Sequence, residues 1–150
     1  MATKTAFEEA SKYLANRMRT VAEVRKRLVE KEFSESEIDD CVNELIGLRY
    51  LDDYEYAKRY YEYSAEKKRG SLRAKRELEE KGVDKETIKF AYEDFLYENK
   101  IDEYKIALDV AESTVDGAEM DEKMRAKIAR KLQNRGFSSD IIIRVINAKF

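Results

Sequence analysis

Three stretches of this chain align with one another without a gap, and that repetition constrains the fold more than any other feature. VAEVRKRLVEKEFSESEIDDCV begins at Val21, SLRAKRELEEKGVDKETIKFAY at Ser71 and RAKIARKLQNRGFSSDIIIRVI at Arg125. Leu28, Leu78 and Leu132 align, then Phe33, Val83 and Phe137, then Ile38, Ile88 and Ile142. Lys31, Lys81 and Arg135 each precede a turn. Gly82 and Gly136 hold the next position, where the first copy has Glu32. A repeat of this kind marks an array of small supersecondary units.

Each copy reads as two helices about a tight turn. Val21, Val24 and Leu28 recur at i, i+3 and i+7, one face of a helix. A glycine just past that helix takes the left-handed conformation at no steric cost. Glu32 must take it at a penalty of about 1 kcal/mol. Ser34, Asp84 and Ser138 come next as N-caps, and Glu37 completes a capping box in the first copy. The next helix is expected to bury Ile38, Cys41, Val42 and Leu45. Its counterparts bury Ile88, Ala91, Tyr92 and Phe95, then Ile142, Val145 and Ile146.

A further helix precedes each pair. Asp52 starts one, with Glu55 three residues on, and Asp102 with Glu103 stand in the same place later. Tyr54, Ala57 and Tyr61 align with Tyr104, Ala107 and Ala111, and with Phe7, Ala10 and Leu14. Proline is absent and glycine occurs five times, so the chain has few of the punctuators a β-rich fold needs. Regular apolar spacing argues against disorder, although 41% of residues are charged. The expectation is an all-α protein of three tandem three-helix, helix-turn-helix-like repeats at 1–50, 51–100 and 101–150. Stacked in order, they form an elongated, curved helical solenoid.

Residues 50 to 64, YLDDYEYAKRYYEYS, hold six of the ten tyrosines. Tyr56 and Tyr60 match Ile106 and Val110, which read as core. The group is therefore expected to pack as a wide seam with hydroxyls at its edge, since base stacking needs exposed rings. Tyr63 matches Ser113 and Asn16 and is the tyrosine expected to meet a partner. Glu9 replaces Tyr56 in the first repeat, as expected of an end unit with no preceding neighbour to pack on.

Function is sought in the charges. The net charge of −2 and pI near 5.5 exclude a general polyanion binder, so any anionic partner must meet a local patch. Arg69, Arg73 and Arg76 are spaced i, i+4, i+7, with Lys67, Lys68 and Lys75 nearby. Lys123, Lys127 and Arg130 repeat the pattern, with Arg125 and Lys131 beside them. Arg19 and Lys26 are the weaker version in the first repeat, with Glu23 between. No acid falls within 67–76 or 123–135. The candidate partner-binding residues are thus Arg19, Lys26, Tyr63, Lys67, Lys68, Arg69, Arg73, Arg76, Lys123, Lys127 and Arg130. They suit DNA phosphates or an acidic protein surface.

Catalysis is not expected. There is no histidine to serve as general base and no glycine-rich phosphate loop. Cys41 falls on a core-facing position, and Asp52 with Asp53 reads as a helix cap rather than a metal site. No cofactor or metal is expected. A single cysteine and the lack of a signal core or membrane-length apolar run indicate a cytoplasmic chain.

The succession YLANRMRTVAEVRKRLVEKEF, GLRYLDDYEYAKRYYEY and RGSLRAKRELEEKGV resembles the RecX family of recombination regulators over nearly the whole chain. The most specific parts are RT-x-x-E-[VL]-x-x-x-L from Arg19, L-D-D-x-x-[YF]-A from Leu51 and R-G-x-x-x-[IA]-x-x-x-L from Arg69 to Leu78. Glu32 and Glu23 depart from the pattern in the first repeat. Three self-similar units with local contacts imply a monomer, and the resemblance implies a regulator that binds the RecA recombinase filament on single-stranded DNA and lies along its groove. It implies inhibition of strand exchange and ATP hydrolysis, hence a place in DNA recombination, DNA repair and the SOS response. Direct contact with single- or double-stranded DNA is a further expectation. One alternative is a sequence-nonspecific DNA-binding protein of helix-turn-helix type. Against it, ETIKFAYED and SSDIIIRV are poor in the Arg, Asn and Gln that read base edges. A helical-repeat scaffold is the other alternative.

Overall fold

The computed structural model describes residues 4–148, and among them all regular structure is helical. The first three helices are α1 (Ala6–Asn16), α2 (Val21–Glu30) and α3 (Glu35–Gly47). Then come α4 (Asp53–Glu66), α5 (Ser71–Glu80) and α6 (Lys85–Asn99), and after them α7 (Glu103–Val115), α8 (Glu122–Arg135) and α9 (Ser139–Ile146).

The tight turns form as their residues dictate. Glu32, Gly82 and Gly136 all have left-handed backbones, with φ of 67°, 85° and 93°. In each turn the amide after that residue reaches back to the last buried leucine's carbonyl. Phe33 bonds Leu28 at 3.2 Å, Val83 bonds Leu78 at 3.1 Å and Phe137 bonds Leu132 at 3.1 Å. This is the Schellman closure, which satisfies carbonyls that a helix end leaves open. The next helix then starts on its cap. Ser34 accepts from Glu37 N, Asp84 from Thr87 N and Ser138 from Ile141 N. Asp52 likewise accepts from Glu55 N, starting α4. Helix α8 is longer than α2 and α5 at its start, because Asp121 caps it at Met124 N.

The helices pack into two compact units. One runs to Ala57 and includes Leu78–Ala91; the other comprises Lys58–Glu77 and the chain from Tyr92 onward. The first unit has a core of Ala6, Ala10, Val24, Leu28, Ile38, Cys41, Val42, Leu45 and Leu51. Burial and the negative charge of Glu44 push the Cys41 thiol pKa up, which keeps it protonated and unreactive. The second unit centres on Ala107, Val110, Ala111, Ile128, Leu132, Phe137 and Val145. Each fully buried Leu or Ile stabilises its unit by about 1.5–3 kcal/mol relative to exposure.

Two sequence expectations are corrected. Tyr60 does not follow Val110 into the core: it is half-buried, with its hydroxyl donating to Glu77 at 2.9 Å. A phenol that reaches a carboxylate at the edge keeps a partner that full burial would remove. Tyr61 is the buried ring, packed on Tyr92 and Phe95 at centroid distances of 4.9 and 5.8 Å. Glu9 is not a solvated end residue either. It is buried between Lys4 and Arg27, each 3.3 Å away.

Candidate partner-binding surface

The cationic residues of the second unit are brought together by how α4 ends. Lys68 takes a left-handed backbone (φ 55°), and Arg69 N bonds Ser64 O at 2.9 Å, closing α4. Arg69 and Gly70 are thereby thrown off the helix. Arg69 therefore does not share a helical stripe with Arg73 and Arg76, as its spacing suggested.

The segment released from α4 docks through its backbone. Gly70 N donates to Arg135 O at 2.8 Å, and Leu72 N donates to Gly136 O at 3.1 Å. A Cβ on Gly70 would land on the Gly136 carbonyl and Phe137 N, so only glycine allows this approach. Arg135 completes the tie, its Nη1 donating to the carbonyls of Lys67 (3.0 Å) and Lys68 (3.1 Å). A cation there also suits the negative end of the α4 dipole.

The docking leaves a cleft lined by Lys67, Arg69, Arg73, Lys131, Asn134 and Arg135, with five cations and no carboxylate. Like charges this close raise the local potential and draw anions. Arg73 is tempered by Glu77, whose carboxylate lies 3.1 Å from its Nε. Lys68 faces Asp109 at 3.9 Å across an exposed pair, an interaction of about 0–1 kcal/mol. Tyr63 is 45% exposed, with Lys67 Nζ and Arg69 Cζ 5.8 and 5.7 Å from its ring centroid.

Of the sequence candidates, then, Lys67, Arg69 and Arg73 meet in one cleft with Tyr63 beside two of them. Arg76 is exposed on α5 and lines an adjoining recess with Arg73. Lys123, Lys127 and Arg130 are exposed on α8 but do not line the cleft; Lys131 and Arg135 from the same helix do. Lys131, Asn134 and Arg135 line the cleft but were not among the sequence candidates. The signal for Arg135 was its place immediately before the Gly136 turn, the element on which α5 docks.

The first unit has an equivalent junction with different charges. Thr20 is fully buried and forms a capping box with Glu23, accepting from Glu23 N at 3.1 Å while Thr20 N donates to the Glu23 carboxylate at 3.0 Å. Its hydroxyl donates to Lys81 O at 2.7 Å. Val21 N donates to Asp53 at 2.9 Å. Burial raises the Asp53 pKa, the Val21 bond lowers it, and Asp84, Asp52 and Glu23 push it up further, leaving it above the ordinary value. The surrounding cleft mixes Glu23, Glu30 and Glu80 with Lys26, Arg27 and Lys81. Arg19 lies over the Tyr13 ring at 3.9 Å. Glu23, out of place in a basic stripe, is explained by the cap it makes.

Among the described residues no group of His, Cys, Asp and Glu is arranged to hold a metal. None of their helices is long and apolar enough to cross a membrane.

Tandem three-helix units of helix-turn-helix type, the second and third together lining an acid-free cleft, define an all-helical repeat protein. The first, second and third three-helix domains of RecX match residues 6–45, 52–91 and 102–146, and the chain belongs to the RecX family. The regulatory protein RecX of Vibrio parahaemolyticus is 32% identical, over 93% of this chain and 88% of its own. That of Halalkalibacterium halodurans is 35% identical over 91% of this chain and 51% of its own. The chain spans about half the length of several curated relatives it matches. The crystal structure of RecX from Lactobacillus salivarius superposes with a TM-score of 0.82 at 28% identity, covering 94% of this chain and 92% of that one.

Proposed function

We propose that this protein binds the RecA nucleoprotein filament on single-stranded DNA and inhibits its strand exchange and ATP hydrolysis. In this reading it is a cytoplasmic, monomeric, non-enzymatic regulator of recombination, repair and the SOS response, working without cofactor or metal. Family membership supports the reading. The single observation that carries it onto particular residues is the cleft of Lys67, Arg69, Arg73, Lys131 and Arg135, which has cations and no acid on its walls. Such a surface recognises by charge and steers encounter. The exposed cations Lys123, Lys127 and Arg130 on α8 extend the proposed contact, and Arg76, Lys68, Lys26 and Arg19 are its secondary members. Direct contact with DNA is a second reading favoured by Tyr63, an exposed ring flanked by Lys67 and Arg69, the arrangement on which a base stacks.

The test is Lys67→Glu with Arg69→Glu and Lys131→Glu, leaving Arg135 and Arg73 to their structural bonds. Helical circular dichroism and melting stay near wild type, since Lys67 is exposed, Arg69 and Lys131 are only partly buried, and surface charges of this kind contribute about 0–1 kcal/mol each. Inhibition of RecA-driven strand exchange and ATP hydrolysis falls by roughly tenfold or more, and wild-type inhibition weakens with salt. Undiminished inhibition by this variant overturns the assignment. If only affinity for bare DNA falls, the second reading replaces the first at this cleft. Lys123→Glu with Lys127→Glu and Arg130→Glu measures separately what the exposed face of α8 adds.

A further inference from the structure

Beside the cationic cleft, and sharing Arg73 with it, the second unit holds a recess of about 500 Å³ whose floor is apolar. Leu72 and Ile143 line it at 52% exposure each, with half-buried Ile142 between the elements and buried Phe137 at the back. Arg73 and Arg76 stand on the same walls. The recess is a by-product of the docking, because the Leu72 N to Gly136 O bond lays the start of α5 on the turn before α9.

The repeat does not require this apolar character. At the equivalent positions of the earlier repeats, Leu72 is matched by Ala22, Arg73 by Glu23, Gln133 by Glu79 and Ile143 by Lys89. One copy of the junction is thus small and charged, as a solvated surface should be. The other exposes two aliphatic side chains with arginines beside them. Exposed apolar surface rimmed by charge is the mark of an interaction site. A nucleic acid backbone presents phosphates for the arginines but no aliphatic group for the floor. A protein segment with both acids and a large apolar side chain satisfies the two halves together. Arg suits such a partner because its guanidinium pairs with carboxylates in a fixed fork.

We propose that this recess and the adjoining cationic cleft dock an acidic peptide segment of a partner protein, with a large aliphatic or aromatic side chain seated against Leu72 and Ile143. The inference rests on the filament reading for the partner's being a protein, and the experiment keeps the two apart. A fluorescein-labelled acidic peptide bearing leucines one helical turn apart is titrated with the full chain and followed by anisotropy. The same peptide with serine for leucine and a labelled oligo-dT serve as comparisons. The leucine peptide binds the wild type at least about tenfold more tightly than the serine peptide. Leu72→Ala with Ile143→Ser erases that preference and leaves oligo-dT affinity unchanged. The preference between peptides is read on the wild type, so a poorly folded variant does not shield the proposal. Equal binding of the two peptides overturns it. So does oligo-dT displacing the leucine peptide with the double variant weakening both, which makes the recess a nucleic-acid surface. If the peptide preference holds while wild-type protein fails to inhibit RecA, the docking site stands and the filament reading falls. If inhibition is present without the preference, the docking site falls alone.

Discussion

The two helix-to-turn junctions, one in each compact unit, do the same thing with different atoms. In the first unit the hydroxyl of Thr20 reaches Lys81 O, and in the second the bare amide of Gly70 reaches Arg135 O. Lys81 and Arg135 are repeat equivalents, so the fold requires a donor at that carbonyl and accepts either a side chain or backbone. It does not dictate charge. Glu23 and Glu80 on one side correspond to Arg73 and Asn134 on the other, and the hydrogen bonds survive the exchange. The donor belongs to the scaffold; the charge is free to serve a partner.

Breaking the closer of the two junctions has the largest expected effect. Gly70→Ala places a methyl on the Gly136 carbonyl and Phe137 N, and should cost about 2–4 kcal/mol in denaturant melts. Thr20→Ala removes a cap and the bond to Lys81 O and should cost about 1–2 kcal/mol, with Thr20→Ser recovering most of it. A cost at Gly70 no larger than at Thr20 would show that the backbone approach relaxes easily and that the two junctions are equally tolerant. Glu32→Gly works in the opposite direction. It relieves a left-handed φ of 67° at an exposed position and should gain about 0.5–1 kcal/mol, read as a rise in melting temperature.

The smallest effect sharpens the contrast by pH. For Glu9, burial raises the pKa, but the Lys4 hydrogen bond with the charges of Lys4, Lys31 and Arg27 outweighs it and leaves the carboxyl below its ordinary value. A folded-state pKa below the unfolded one gives stability that is present above the unfolded value and lost as pH falls through the folded one. Glu37 and Asp84, lowered first by backbone bonds at their caps, act in the same direction. Asp53, whose pKa is raised, opposes them at acid pH. Amide protection in the first unit, taken relative to the intrinsic exchange rate at each pH, should fall on going below the ordinary glutamate range, and Glu9→Gln should flatten that pH dependence. An unchanged slope in Glu9→Gln would remove Glu9 from the explanation.

The features legible in the sequence are those settled within one turn of helix. Ser34, Asp84 and Ser138 cap as read, and Glu32 turns left-handed as read, because neighbours three or four residues away decide both. The Thr20 cap went unread although T-x-x-E at 20–23 has the same local form, and its buried hydroxyl explains the RT-x-x-E stretch. Features that depend on distant segments were not legible. Lys131 and Arg135 enter the cleft because that side of α8 meets residues far back in sequence. Arg69, by contrast, leaves the helical stripe for a local reason, the left-handed Lys68 that ends α4, which spacing alone does not show. Helical spacing alone singled out Lys123, Lys127 and Arg130, the outward face. Tyr60 and Tyr61 adjoin in sequence, and only the placing of Glu77, Tyr92 and Phe95 decides which ring is buried.

Gly70 and Gly136 also set how freely this chain can drift. The smallest change open to either is a methyl group, and it already strikes backbone at Gly70 and the Arg73 Cβ at Gly136. Chemical similarity among replacements therefore counts for nothing at these two positions. Glu32 occupies the same turn as Gly136, yet its side chain points into solvent, so the sole demand on a replacement is the bent backbone. Scored substitution by substitution, one turn geometry would appear as a closed column at Gly136 and an open one at Glu32. The tolerance of a turn in this array is written in what packs over it.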